Sequence, residues 1–162
     1  KSGSSSTIHL WRNDRTMESN FRCPKARNRG KINIWEETSG IRVFVHSSAD
    51  IPELVRMAAL PGTELLFVPA QWPTMRLRHW QVLNEVRAIE NQLFVCAVNG
   101  CGTVGRVQST GHSAVYDPWG TNLLEMDTNE GIASVDIDLT VVEDIRKKIN
   151  IFRDRKPELY NL

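Results

Sequence analysis

The chain has 162 residues, 20 of them Lys or Arg and 19 Asp or Glu, with 41% hydrophobic and 7% aromatic side chains. That is the composition of one ordinary globular domain, neither disordered nor fibrous. A formal net charge of +1 gives no global attraction to nucleic acid, and no apolar stretch approaches the ~20 residues that a membrane span needs. No nucleic-acid or membrane partner is therefore expected. Three cysteines without paired zinc or disulfide spacing fit reduced thiols and a cytoplasmic location. The start at Lys1 and the flexible composition KSGSSS read as a piece of something longer.

Charge divides the chain in two. Residues 1–40 carry 8 Lys+Arg against 4 Asp+Glu, or +4, whereas residues 41–162 carry 12 against 15, or −3. Within the first part, Arg22–Lys31 is polar and basic with almost nothing to bury, and reads as an exposed loop. The second part is regular. Ile41-Arg-Val-Phe-Val45 suits a buried strand, and Pro52–Leu60 suits a helix with proline in its first turn, Glu53 at the positive end of its dipole and Pro61-Gly62 as its stop. Leu65–Val68 is the next strand. Met75–Gln92 is a longer helix, with Leu77, Trp80, Leu83, Val86, Ala88 and Ile89 as its apolar face, and Leu93–Val98 is a third strand.

Three apolar strands alternating with two helices predict a βαβαβ unit with a mainly parallel sheet and right-handed crossovers. Asn99–Gly105 reads as a connection. The short strands Ser113–Tyr116, Asn122–Met126 and Ile132–Ile137 follow, the first two separated by the turn Asp117-Pro-Trp-Gly120, and are expected as antiparallel pairs at one side of the sheet. Leu139–Ile149 closes the core as a helix whose inner face is Val141, Val142, Ile145 and Ile149. The polar tail Arg153–Tyr160 reads as a segment that reaches across a neighbour.

Chemistry is sparse in the composition. His9, His46, His79 and His112 lie on separate elements with no ligand spacing, so neither a metal nor another cofactor is expected. Cys96 sits in an apolar strand as an inert buried thiol, whereas Cys101, in a glycine-rich loop, is the cysteine with reactive potential. Gly100–Gly105 follows a strand without opening a helix or continuing into Lys-Ser/Thr, so it is not a phosphate cradle. Ligands of open α/β sheets bind beyond the carboxyl ends of the strands. Here those ends are His46-Ser47-Ser48 and Pro69–Pro73, which should face one crevice with Gln71, Trp72, Arg76 and His79 as its substrate-binding groups.

Several ordered motifs, Pro69–Trp80, Arg87–Gln92, Asn99, Gly111-His-Ser113, Asp117–Gly120, Asp136-Ile-Asp138 and Leu159-Tyr160, resemble the nitrilase superfamily. The likeness is greatest to carbon-nitrogen hydrolases of the omega-amidase type. It runs through residues 41–160 and weakly back to Ile8-His-Leu10. It implies an αββα sandwich, here incomplete for want of its N-terminal portion, with residues 1–40 only weakly family-like. It also implies hydrolysis of small carboxamides by a Glu-Lys-Cys triad. In that chemistry a thiolate attacks the amide carbon, an ammonium stabilises the oxyanion and a carboxylate shuttles protons.

Position by position, the triad is not present. The family nucleophile opens the motif Cys-Tyr-Asp-(Leu/Ile)-Arg-Phe-Pro-Glu, and the matching stretch is His46-Ser-Ser-Ala-Asp-Ile-Pro-Glu53. Thr7, before Ile8-His9-Leu10, stands at the lysine position, and Glu18 matches a second, supporting glutamate. The first glutamate of the triad precedes the lysine motif, where this chain has six residues. Ser47 or Ser48 with His46 makes a poor serine hydrolase, because neighbours on a strand point to opposite faces. The expectation is a catalytically inactive homologue. Its alternative is a non-catalytic module that binds a small amide or carboxylate, or that forms a homo-oligomer.

Overall fold

The computed structural model describes residues 5–12, 34–38, 41–47 and 49–160. Arg22–Lys31, Glu18 and Ser48 lie outside them. In chain order the elements are strands β1 (Ser5–Arg12), β2 (Ile34–Thr38) and β3 (Ile41–Val45), helix α1 (Pro52–Ala59), β4 (Leu65–Ala70), helix α2 (Leu77–Asn91) and β5 (Phe94–Asn99). Then come the two-residue strands β6 (Thr103–Val104) and β7 (Val107–Gln108), β8 (Ala114–Tyr116), β9 (Asn122–Glu125), β10 (Gly131–Asp138) and helix α3 (Thr140–Lys148).

The expected βαβαβ unit is present. A six-stranded sheet runs β2-β3-β4-β5-β8-β9, with β3, β4 and β5 parallel and the other pairs antiparallel. The central strands are buried on both faces, which is why they read as continuous apolar runs. On one face Phe44, Leu66, Val68, Val95, Ala97 and Ala114 pack against α1 and α2 through Val55, Ala58, Trp80 and Ala88. On the other face Leu65, Phe94, Cys96 and Val115 meet Ile137 of β10 and Leu139 and Val142 at α3.

Four expectations need correction. First, β10 does not extend the antiparallel edge formed by β8 and β9. It pairs with β1 in a separate two-stranded sheet stacked on the second face, and its inward residues alternate with exposed ones as period-two burial requires. An alternating strand declares that one face is covered but not by what. Second, the buried side of α2 is Trp80, Asn84, Arg87, Ala88 and Asn91, while Val86 and Ile89 are exposed. The asparagine amide N–H groups find carbonyls inside, Asn84 Nδ2 donating to Trp80 O (2.7 Å) and Asn91 Nδ2 to Arg87 O (3.0 Å), while the two amide oxygens have no hydrogen-bond partner among the described residues. Third, residues 103–108 form a small antiparallel ladder rather than a plain connection. Fourth, at α3 the inner residues are Val142 and Ile145, and Ile149 lies past the helix end, 42% exposed.

The turn Asp117–Gly120 forms as its sequence demands. Asp117 Oδ1 accepts the N–H groups of Trp119 (2.9 Å) and Thr121 (2.8 Å), and Gly120 takes φ +84°, a region closed to most side chains. The neighbouring Tyr116 is buried, and loss of water, with Glu125 and Glu85 nearby, pushes its phenol up to about 12. The unfolded phenol ionises near pH 10, so this residue lets stability fall once the pH exceeds about 10, the fall ending above about 12. Replacing Tyr116 by phenylalanine is expected to flatten that alkaline decline, as followed by urea midpoints between pH 9 and about pH 12.

Candidate functional site

The carboxyl ends of β3, β4 and β5 build the site, and backbone hydrogen bonds align them before any side chain does. The His46 N–H continues the parallel ladder by donating to Phe67 O (2.9 Å), and Gly100 N–H donates to Ala70 O (2.9 Å). The loop after β7 then closes on the same ends: Thr110 N–H donates to Trp72 O (2.8 Å) and Gly111 N–H to Gly100 O (3.0 Å). At the centre sits Asn99, fully buried. Its Oδ1 accepts the Trp72 N–H (2.7 Å), and its Nδ2 donates to Gly111 O (2.9 Å) and reaches Trp72 O (3.4 Å). Ser113 Oγ accepts the Asn99 N–H (3.0 Å), so one amide side chain and one hydroxyl clamp two loops to the end of β5.

This clamp positions Trp72. Its ring is buried and lies 5.8 Å from that of Trp80, whose indole N–H donates to His112 O (2.8 Å). His112 holds a left-handed conformation, φ +51°, and its Nδ1 is 2.9 Å from Oε1 of Glu125. On the outer side of Trp72 the Arg76 guanidinium lies 4.1 Å from the ring centroid, a cation–π contact worth about 0.5–1 kcal/mol at an exposed position. Its Nη2 is 3.9 Å from Oδ2 of Asp50, both groups being nearly half exposed. Such a pair is worth about 0–1 kcal/mol, and its interest is where it stands: it spans from the turn after β3 to the segment before α2.

His46 occupies the strand-to-helix turn. It is buried, with its ring parallel to Phe44 at 6.2 Å between centroids, on the face of the sheet that α1 and α2 cover. The turn is pinned from behind by Arg87, whose Nε donates to Ala49 O (2.9 Å) while its Nη1 meets Glu90 at 2.6 Å. Ser47 is exposed.

The expected binding residues divide into two groups. Trp72 and Arg76 come together, whereas Gln71 and His79 are exposed, and no hydrogen bond or ion pair between described residues joins His79 to that pair. Thr7 falls on β1 opposite Asp136 of β10. The cysteines are placed elsewhere. Cys96 is fully buried, which pushes its thiol up, and Cys101, expected as the reactive one, is only 4% exposed. Among the described residues no group of three His, Cys, Asp or Glu side chains gathers as a metal site, and no helix is long and apolar enough to cross a membrane. Asp50, Arg87 and Asn99 were absent from the expected site residues. All three stand inside motifs already quoted, but none was read as a site residue, because a partner on another element cannot be read from spacing.

Known proteins give a consistent picture. The family model described as carbon-nitrogen hydrolase matches residues 8–147. The chain is 42% identical over 125 residues to the "Hydrolase in agr operon" of Staphylococcus lugdunensis, covering 76% of this chain and 53% of that protein. It is 42% identical over 109 residues to the 2-oxoglutaramate amidase of Bacillus subtilis, covering 67% of this chain and 42% of the relative. Among solved structures, the C. elegans NitFhit protein superposes with a TM-score of 0.72 at 32% identity, over 77% of this chain and 31% of that one. The chain thus spans about half the length of the curated relatives it matches.

Proposed function

This chain belongs to the carbon-nitrogen hydrolase family, and from that premise we propose that it is a catalytically inactive homologue of the small-carboxamide amidases. The observation that carries this reading is His46. At the turn between β3 and α1, where the family motif opens with its cysteine, this chain has an imidazole stacked on Phe44. An imidazole in that place has no thiolate with which to form the thioester, and Thr7, at the lysine position, brings no ammonium to an oxyanion. Loss of a nucleophile alone costs on the order of 10⁶ in rate where it has been removed from a hydrolase triad. The remaining thiols do not compensate among the described residues, since Cys96 and Cys101 are buried on β5 and the loop after it.

A second reading is favoured by one feature, the Asn99 clamp with Trp72 and Arg76 above it. It supports a non-catalytic module that binds a small amide or carboxylate where a substrate would otherwise react. The two readings are compatible, since one concerns turnover and the other occupancy. The test of the first is ammonia release from small omega-amides at high protein concentration. No release above the protein-free blank is expected. Release that scales with protein and is abolished in Ser47→Ala or Cys101→Ser overturns it.

A further inference from the structure

We propose that Asp50 selects the ligand at this site: it holds the Arg76 guanidinium, so that the platform takes neutral small carboxamides in preference to ligands bearing a free carboxylate. The inference rests on the ligand-binding reading above and deepens it by naming the ligand class. Arg76 is the group that a carboxylate would seek, since a guanidinium presents several N–H donors in one plane. Its plane is already constrained by the Trp72 ring at 4.1 Å, and Trp72 is in turn fixed through its own backbone by the buried Asn99. The adjacent anion is Asp50, 3.9 Å away and nearly half exposed, so a ligand that reaches the guanidinium also meets this carboxylate.

A second carboxylate at Arg76 therefore meets either repulsion from Asp50 or the cost of displacing it. A neutral amide oxygen accepts one N–H without either penalty.

The experiment compares two probes of one skeleton, succinamide, which is neutral, and succinamate, in which one amide is replaced by a carboxylate. Dissociation constants are measured by calorimetry on the unmodified chain, on Asp50→Asn, and on Asp50→Asn combined with Arg76→Gln, with thermal unfolding to verify that each is folded. The unmodified chain is expected to prefer succinamide. Asp50→Asn should shift the ratio of the two constants toward succinamate by about fivefold, the ceiling for a half-exposed ion pair, and the added Arg76→Gln should cancel the shift. If both probes bind and the ratio is unchanged in Asp50→Asn, the role of Asp50 is overturned while the binding reading stands. If neither probe binds any of the three proteins, the binding reading falls and this inference falls with it.

Discussion

Replacing Trp80 by alanine is expected to cost about 4–8 kcal/mol, enough to unfold much of the chain if it has the 5–15 kcal/mol usual for a domain. Two effects add. The ring is 1% exposed and fills the space between α2 and the sheet, and truncating a buried aromatic of this size leaves a cavity worth about 3–5 kcal/mol. Its indole N–H also donates to His112 O, and leaving a part-buried carbonyl unpaired costs about 1–3 kcal/mol more. Trp80→Phe separates the two, since it keeps most of the ring against Trp72 and forfeits the hydrogen bond. Urea unfolding of both variants gives the comparison. The alanine variant should have a far lower midpoint, with phenylalanine in between.

Asn99→Leu is the second large effect, about 2–6 kcal/mol, and it arises without a cavity because leucine branches at the same atom and is larger than asparagine. The loss is polar. Leucine leaves the Trp72 N–H and Gly111 O without the partners they have at 2.7 and 2.9 Å, in a place where no water-exposed alternative is at hand because Asn99 is fully buried. Each orphaned group costs about 1–3 kcal/mol. The variant should also release the loop that carries Trp72, so that tryptophan emission shifts to longer wavelength before global unfolding. A variant as stable as the unmodified chain would show that the clamp is replaceable.

The parts of this fold that could be read from sequence are those governed by local chemistry. Ile41–Val45, Leu65–Val68 and Leu93–Val98 announce buried strands because apolar side chains run through them, interrupted only by Arg42, and Pro52 and Pro61-Gly62 bracket α1 for backbone reasons alone. What escaped depends on distant partners. The place of β10 follows from β1, over a hundred residues earlier, and alternating burial fits any sheet. The inner face of α2 escaped because hydrophobicity counting places Val86 and Ile89 inside and cannot foresee that Asn84, Arg87 and Asn91 find carbonyl or carboxylate partners there.

The site divides on the same line. Trp72 and Arg76 were legible because they follow a strand end, where ligands of parallel sheets collect. Asp50 was not, although it stands in the turn before Pro52, because only the folded chain brings it to Arg76. His46 was legible through its distance from Pro52-Glu53, and the proposal of an inactive homologue rests on that position: a thiolate there would form the thioester, which an imidazole stacked on Phe44 does not.

Catalytic silence is therefore the claim to test, and a single turnover tests it most directly. The chain is placed in excess over radiolabelled succinamide, and in parallel over its carboxylate-bearing counterpart succinamate, and the acid product is counted over hours, so that even one slow conversion per site is visible. No acid above the protein-free control is the result predicted by His46 and Thr7. Conversion of a stoichiometric amount, lost when His46, Ser47 or Cys101 is replaced by alanine, would contradict it.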